Sequence, residues 1–441
     1  MKINRILTAL AALAAATPAY GQPIYENVQC RTPNAQSDSV FGWSIDIDND
    51  IIAATTLYTD TDHTNPNGSA YLFDASTGNV ITRLIPSNGT TANDAYGYTI
   101  AINDGVVAVS ALGDDEYVGA VYLFDITTGE QIHKLVPSDP YEYFGISVAI
   151  SDGIVAVGAD LGYNKTTRPG AVYLFDIVSG EQIAKLFAND PSDNDYFGGS
   201  VAINNGILAV GAIGDDDNGE FSGSAYLFDI STNTQLAKIL PDNGKIWDRF
   251  GTSIDISNGV VAIGSELSIN DFGAVYLFDA STTTQISRIA PNDLNESSAF
   301  GNQVSIDSNT IAIGARGDFV NGSYSGSTYL FDIITGDQIA KLLPSDPMEN
   351  GDFGFKVAMD QGTVIASSVF ANKNGTVYAF NVNSLICPPD LTSSHTLDAD
   401  DVYAFINFYT AQDPIADFTN DGNFDFFDVS AFLTAFAAGC P

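Results

Sequence analysis

The feature that most constrains this chain is a residue pair that returns seven times. Phe41-Gly42, Tyr96-Gly97, Phe144-Gly145, Phe197-Gly198, Phe250-Gly251, Phe300-Gly301 and Phe353-Gly354 recur with a period of about 50 residues, a spacing that belongs to repeat architectures. The third copy is the cleanest. Phe144 to Ile150 is followed by Gly153 to Ala159, then Gly170 to Asp176, then Gln182 to Leu186. Each run is short, rich in Val, Ile, Tyr and Phe, and bounded by Gly, Asp, Asn or Ser, which predicts strands and not helices. Asp104-Gly105, Asp152-Gly153, Asn205-Gly206 and Asn258-Gly259 predict tight hairpins between the first two strands of their units. Asp125 to Gly129 closes the next hairpin, with Gly129 supplying the positive φ of the turn. Four antiparallel strands repeated seven times predict a mainly β fold, a seven-bladed β-propeller.

A row of blades would leave two raw sheet edges, so the ring must close. The seventh unit runs from Phe353 through Thr376 to Phe380 and has no convincing fourth strand before Cys387. Residues Ile24 to Pro33 precede the first Phe-Gly pair at the offset where a fourth strand normally stands, as Thr284 to Pro291 do before Phe300. The N-terminal strand is therefore expected to complete the last blade.

These units resemble the FG-GAP repeats of secreted bacterial proteins and are similar to the propeller of integrin α-chains. The resemblance covers roughly Phe41 to Val382. It implies the fold, while leaving activity open because one fold hosts many functions. It also implies that calcium can bind in loops between the second and third strands. Those loops are acidic at Asp60 and Asp62, Asp114 to Glu116, Asp215 to Asp217, and Glu266 with Asp271. Asp215 and Asp217 are the candidate metal ligands among them.

The carboxylates that end the third strands (Asp74, Asp125, Asp176, Asp229, Asp279 and Asp332, with Asn381 in the seventh unit) always precede a hairpin, so they are expected to cap turns. Arg316-Gly317-Asp318 spells an integrin-recognition tripeptide. It falls where another unit has Ile213-Gly214-Asp215, which makes it a drifted repeat position and not an adhesive signal. His63 and His133 are single events, and no nucleophile elbow, H-E-x-x-H or phosphate-cradling glycine loop occurs. No catalytic residue is assigned and the chain is expected not to be an enzyme. Carboxylates at a ring centre keep a propeller glycoside hydrolase or lyase as the rival reading.

After Cys387-Pro388-Pro389 the pattern changes. Val402, Phe405, Ile406 and Tyr409 recur at helical spacing, as do Val429, Phe432, Leu433 and Phe436. Each helix follows an acidic loop. In the second loop Asp417, Thr419, Asp421, Asp425 and Asp428 take positions one, three, five, nine and twelve, Gly422 takes six and Asn423 offers a backbone carbonyl. That is the oxygen spacing calcium requires. The first loop keeps Asp390, Asp398 and Asp401 but has Thr392, Ser394 and His395 where acid, acid and glycine are wanted, so weak or absent binding is expected there. His395 has no partners for a transition metal. Two loop–helix units that end Gly439-Cys440 resemble a small EF-hand-like dockerin module over Cys387 to Pro441. The resemblance implies a cohesin-like partner, with recognition positions that here hold Ala399-Asp400 and Phe426-Phe427. Phe426 and Phe427 either meet such a partner or pack between the helices.

The chain ends and the composition complete the reading. Lys2 and Arg5 precede an apolar run from Ile6 to Ala16, with Ala19 and Gly21 as small residues for cleavage, the layout of a secretory leader. No segment reaches the roughly 18 apolar residues of a membrane helix. The expected parts are a leader at 1–21, the propeller at 22–386 and the module at 387–441. A net charge of −38 argues against nucleic acid and anionic membranes as partners. Of three cysteines, Cys387 and Cys440 bracket the module and form the favoured disulfide, with Cys30–Cys387 as its competitor. The function expected is a secreted binding or anchoring protein. Its propeller loops would face an unknown protein or carbohydrate, and its Ca²⁺-ordered tail would dock to a cohesin-like or envelope protein.

Overall fold

A computed structural model describes residues 23–32, 40–58, 67–90, 94–138, 143–160, 169–266, 272–291, 293–294, 298–371, 374–383, 391, 399–412, 416, 418 and 426–438. It is a seven-bladed β-propeller with two short helices at the C-terminal end. In blade 3, Phe144–Ser151, Ile154–Ala159, Ala171–Asp176 and Gln182–Leu186 lie in sequence order as an antiparallel meander. The expected hairpins are built as the sequence predicts. Asp152 and Gly153 have φ of 57° and 70°, and Asn205 and Gly206 have 49° and 75°, the double positive φ that matches strand twist.

Why the repeat needs its glycines follows from blade contact. Each first strand opens with a bulge, as where the pairing shifts between Phe144 and Ser147. In blades 3 to 7 its Phe ring packs edge-on against Tyr and Phe of the third strand, Phe144 standing 5.4 Å from Tyr173 and 5.7 Å from Phe175. The glycine before the third strand meets the backbone of the next blade's Phe. A Cβ on Gly170 would stand 2.1 Å from the Phe197 carbonyl oxygen, at a φ of +89° that side chains resist. The same approach joins Gly223 to Phe250, and Gly375 of blade 7 to Phe41 of blade 1. That last contact closes the ring.

The seventh blade is completed as expected. Val28–Cys30 pairs antiparallel with Thr376–Asn381, setting Val28 opposite Ala379 and Cys30 opposite Val377. An addition was not foreseen: Pro23–Tyr25 lies parallel to Gln338–Leu343 at the outer edge of blade 6. One N-terminal segment therefore joins two blades. Between its strands, Glu26 accepts hydrogen bonds from Ser345, and just after the second strand Arg31 pairs with Asp346 at 3.1 Å. Cys30 is a buried free thiol, which burial and then nearby Asp74 raise to about 12, so it carries no link to Cys387. Cys387, Cys440 and the expected leader at 1–21 lie outside the described residues.

The tail helices, Ala399–Ala411 and Phe426–Ala438, pack through Phe405 on Phe432, stacked 4.1 Å apart, with Phe418 edge-on to both. No described helix is long and apolar enough to cross a membrane.

Candidate binding site at the channel mouth

The first strands of neighbouring blades pack side by side around the central channel. Their Phe-Gly ends share one face with the loops between second and third strands and with the loops that join blades. The opposite face carries the turns that follow the third strands. There the expected capping holds throughout. Asp176 Oδ1 accepts the backbone N–H groups of Val178 and Ser179, Asp229 those of Ser231 and Thr232, and Asn381 that of Asn383. Hydrogen bonds hold the Asp74, Asp125, Asp176, Asp229 and Asp279 carboxyls below the usual carboxylate range.

The acidic loops on the mouth face answer a different need. Asp215 is buried and accepts from Ser224 Oγ and Tyr226 Oη, both at 3.0 Å. Lys238 Nζ stands 2.7 Å from Asp215, 2.7 Å from Asp217 and 2.8 Å from Asp190. Burial pulls that ammonium down and the three carboxylates more than reverse it, holding it above its ordinary range. The candidate ligands Asp215 and Asp217 thus share a cation that the chain itself supplies. Blade 6 repeats the arrangement: Asp318 accepts from Ser327, Tyr329 and Lys341, and Lys341 reaches Asp293 at 3.0 Å. Asp318 of the Arg-Gly-Asp tripeptide is therefore a buried structural acid. Blade 2 pairs Asp114 with Lys134 at 3.0 Å and with Tyr122. Asp190 and Asp293 come from loops before the blades they bond, so each set also staples two blades together.

At the mouth the repeat breaks. The third residue of the first strand is aromatic in three adjacent blades: Phe355 in blade 7, Trp43 in blade 1 and Tyr98 in blade 2. Trp43 lies 5.2 Å from Phe355 and 6.0 Å from Tyr98. Elsewhere that position holds Ile146, Gly199, Thr252 and Asn302. The fourth residue is Ser or Thr in five blades. Its hydroxyl serves the blade interface, as where Ser147 and Ser200 donate to the carbonyls of Gly198 and Gly251. Blades 6 and 7 instead place Gln303 and Lys356 there, joined at 3.0 Å. Burial, then the Arg316 guanidinium, lowers the Lys356 ammonium to about 8, against the pull of Glu266.

Arg316 lies over the Phe355 ring at 5.8 Å and 3.5 Å from Glu266, which Arg249 also meets at 3.5 Å. Arg249 Nε is shielded from solvent and has no hydrogen-bond partner. Asp352 is the second acid on this arc. Burial raises its carboxyl and Arg316 opposes that. Deeper in the channel, Asp46 accepts from the backbone of Ile47 and, in the next blade, Ile102; Asp255 accepts likewise from Ile256 and Ile306. Burial raises Asp46 to about 7 and Asp255 to about 6. A separate cavity at the outer rim of blade 6, lined by Tyr25, Val320, Ser323, Leu343 and Pro347, has no charged group.

In the tail, Asp401 and Asp428 stand at the same place, the third residue of each helix, and both are fully buried. The other expected calcium ligands, Asp390, Thr392, Ser394, Asp398, Asp417, Thr419, Asp421, Asn423 and Asp425, lie outside the described residues. So do Asp60, Asp62 and Asp271. Phe426 and Phe427 head the second helix, and their side chains also fall outside the description. Among the described residues no group of three or more His, Cys, Asp or Glu is gathered as a metal site requires.

No curated protein matches this chain. The FG-GAP repeat family matches residues 79–124, 130–175, 181–228, 233–278, 283–331 and 337–380. Each match runs from the fourth strand of one blade through the third strand of the next, so the glycine–phenylalanine contacts between blades join one match to the following one. With that frame recurring over more than half its length, the chain belongs to the FG-GAP repeat family.

Proposed function

We propose that this is a secreted, non-catalytic binding protein that holds a ligand at the channel mouth and is anchored through its C-terminal module. The observation that carries the reading is the mouth itself: in a ring of near-identical blades, the residues that abandon the repeat gather on one arc and on one face. Loops and strand ends on a rigid scaffold are where recognition is usually built. The FG-GAP propeller is a binding or adhesion type of domain, which agrees.

For the tail, two points support a calcium-ordered docking module. Residues 387–441 contain no Lys or Arg, and the acids at the twelfth loop positions, Asp401 and Asp428, are buried. A divalent cation is one way to hold carboxylates withdrawn from water, and the loop that ends at Asp428 has the oxygen spacing calcium takes. The partner would be a cohesin-like or envelope protein, and export would follow from the leader at 1–21.

A second reading rests on Lys356. An amine brought near neutrality beside Glu266 is suited to act as a base, which is the chemistry of a polysaccharide lyase. Retention of the full chain on a cell-envelope and matrix-polysaccharide fraction decides between the two. Retention without released sugar is expected. Loss of retention on chelation assigns the anchoring to the tail, and loss in Trp43→Ala assigns it to the propeller. Release of unsaturated or reducing sugar ends would make the protein an enzyme.

A further inference from the structure

The charges at the mouth say what kind of ligand suits it. Elsewhere the propeller neutralises its lysines with care: Lys238 meets three carboxylates, and Lys341 and Lys134 also meet theirs. On the mouth arc, among the described residues, Arg249 and Arg316 share the single carboxylate of Glu266 in contacts that are loose at 3.5 Å, and Lys356 meets the amide of Gln303. Three cations gathered in a chain of net charge −38 are a local exception that favours an anion. The free Nε–H of Arg249 adds an unused donor, and a guanidinium fork matches a carboxylate.

Beside the cations stand the rings of Phe355, Trp43 and Tyr98, half-buried and spread across three blades. Such a row offers the C–H faces of sugar rings a broad apolar contact. An extended acidic peptide would use the cations but has no equivalent use for three aromatic faces. From this juxtaposition we propose that the mouth binds an acidic saccharide. The uronate carboxylate would displace Glu266 from Arg316 and Arg249, with Lys356 beneath, while the adjoining sugar lies on Trp43. This rests on the binding reading above and names its ligand class.

The test is calorimetric titration of the full chain with three soluble probes: an oligogalacturonate, a neutral cello-oligosaccharide of equal length, and an oligoglutamate peptide. Oligogalacturonate is expected to bind, and Trp43→Ala to weaken it at least tenfold. Arg316 is 39% exposed, so Arg316→Ala is expected to fold and to lose a similar factor. Lys185→Ala, on the outer strand of blade 3, is expected to change nothing. Lys356→Gln keeps the contact with Gln303 possible and reads the second cation without burying a void. Equal binding of the neutral sugar, or preference for oligoglutamate, overturns the uronate assignment while the binding reading stands. Binding that survives both Trp43→Ala and Arg316→Ala moves the site elsewhere and overturns the proposal. Conversion of oligogalacturonate to an ultraviolet-absorbing unsaturated product refutes the non-catalytic reading and leaves the ligand class intact.

Discussion

The blade loops and the tail both bury aspartate, and they differ in the cations that their own segments supply. In blades 4 and 6 the acid is sealed by a lysine one strand away, Lys238 on Asp215 and Lys341 on Asp318. The tail buries Asp401 and Asp428 within a segment that has no Lys or Arg at all. A resident lysine makes a loop self-sufficient. On the docking-module proposal, the tail loop takes its balancing charge from a calcium ion, and so can report on the medium around it. The propeller is the permanent half of the molecule and the tail, on this account, the switchable half.

Four experiments sharpen or break that contrast. The largest effect is expected from chelation of the full chain. Helix content of the tail should fall while the propeller transition stays in place, and Asp428→Ala should reproduce the loss with calcium present. A site held at 1,000 times its dissociation constant contributes about 4 kcal/mol, enough to decide whether so small a unit folds. Paired calorimetric scans with and without chelator read it, and two unmoved transitions would end the distinction.

Next in size is Lys238→Met, which strands three carboxylates around a half-sealed site. Breaking a buried ion pair from one side costs about 3–5 kcal/mol, and the propeller melting temperature should fall accordingly. If calcium then restores it, the blade loop is a metal site with a lysine in residence, and the contrast narrows to which cation happens to be there.

Gly223→Ala probes the blade seam in neither kind of loop. Its Cβ would meet the Phe250 carbonyl at 2.1 Å with φ at +78°, so a loss of about 1–3 kcal/mol or more is expected in urea melts. A neutral result would mean the blades slide apart easily.

The fourth effect is pH dependence of the propeller. Asp46 at about 7 and Asp255 at about 6 titrate near 3.9 when unfolded. The folded state therefore holds more protons between about pH 4 and 7, and stability should decline as pH rises through that window. The capping acids such as Asp176 act oppositely. They stabilise above the unfolded carboxylate pKa and lose that as pH falls through their lowered values. Melting temperature against pH should peak on the acid side of neutrality, and a curve that rises steadily from pH 4 to 7 would contradict the assignment.

Much of this was legible from residues alone. The blade count, the Asp-Gly hairpins, the capping role of Asp176 and its equivalents, and closure by the N-terminal strand all follow from local turn chemistry repeated in step. Pro23–Tyr25 escaped because three residues on a sheet edge carry no period. The Lys238–Asp215 set was hidden because its members sit on different strands and loops, and only the register joins them. The mouth had a signal that is easy to pass over. Gln303 and Lys356 stand where the repeat wants a hydroxyl, and Trp43, Tyr98 and Phe355 enlarge a position that is Gly199 in blade 4. Departures from a repeat mark a site better than its regularities, which mostly report packing.

The closing seam has a consequence for how the molecule is made. Val28 meets Ala379, so one of the earliest strands to be synthesised must wait for nearly the last. Until then every blade can form against its neighbour, yet the ring stays open and the edge of the final sheet is bare. A product that stops short of Thr376 would leave Val28–Cys30 without a berth. The fold thus contains a proofreading step: only a full-length propeller can latch.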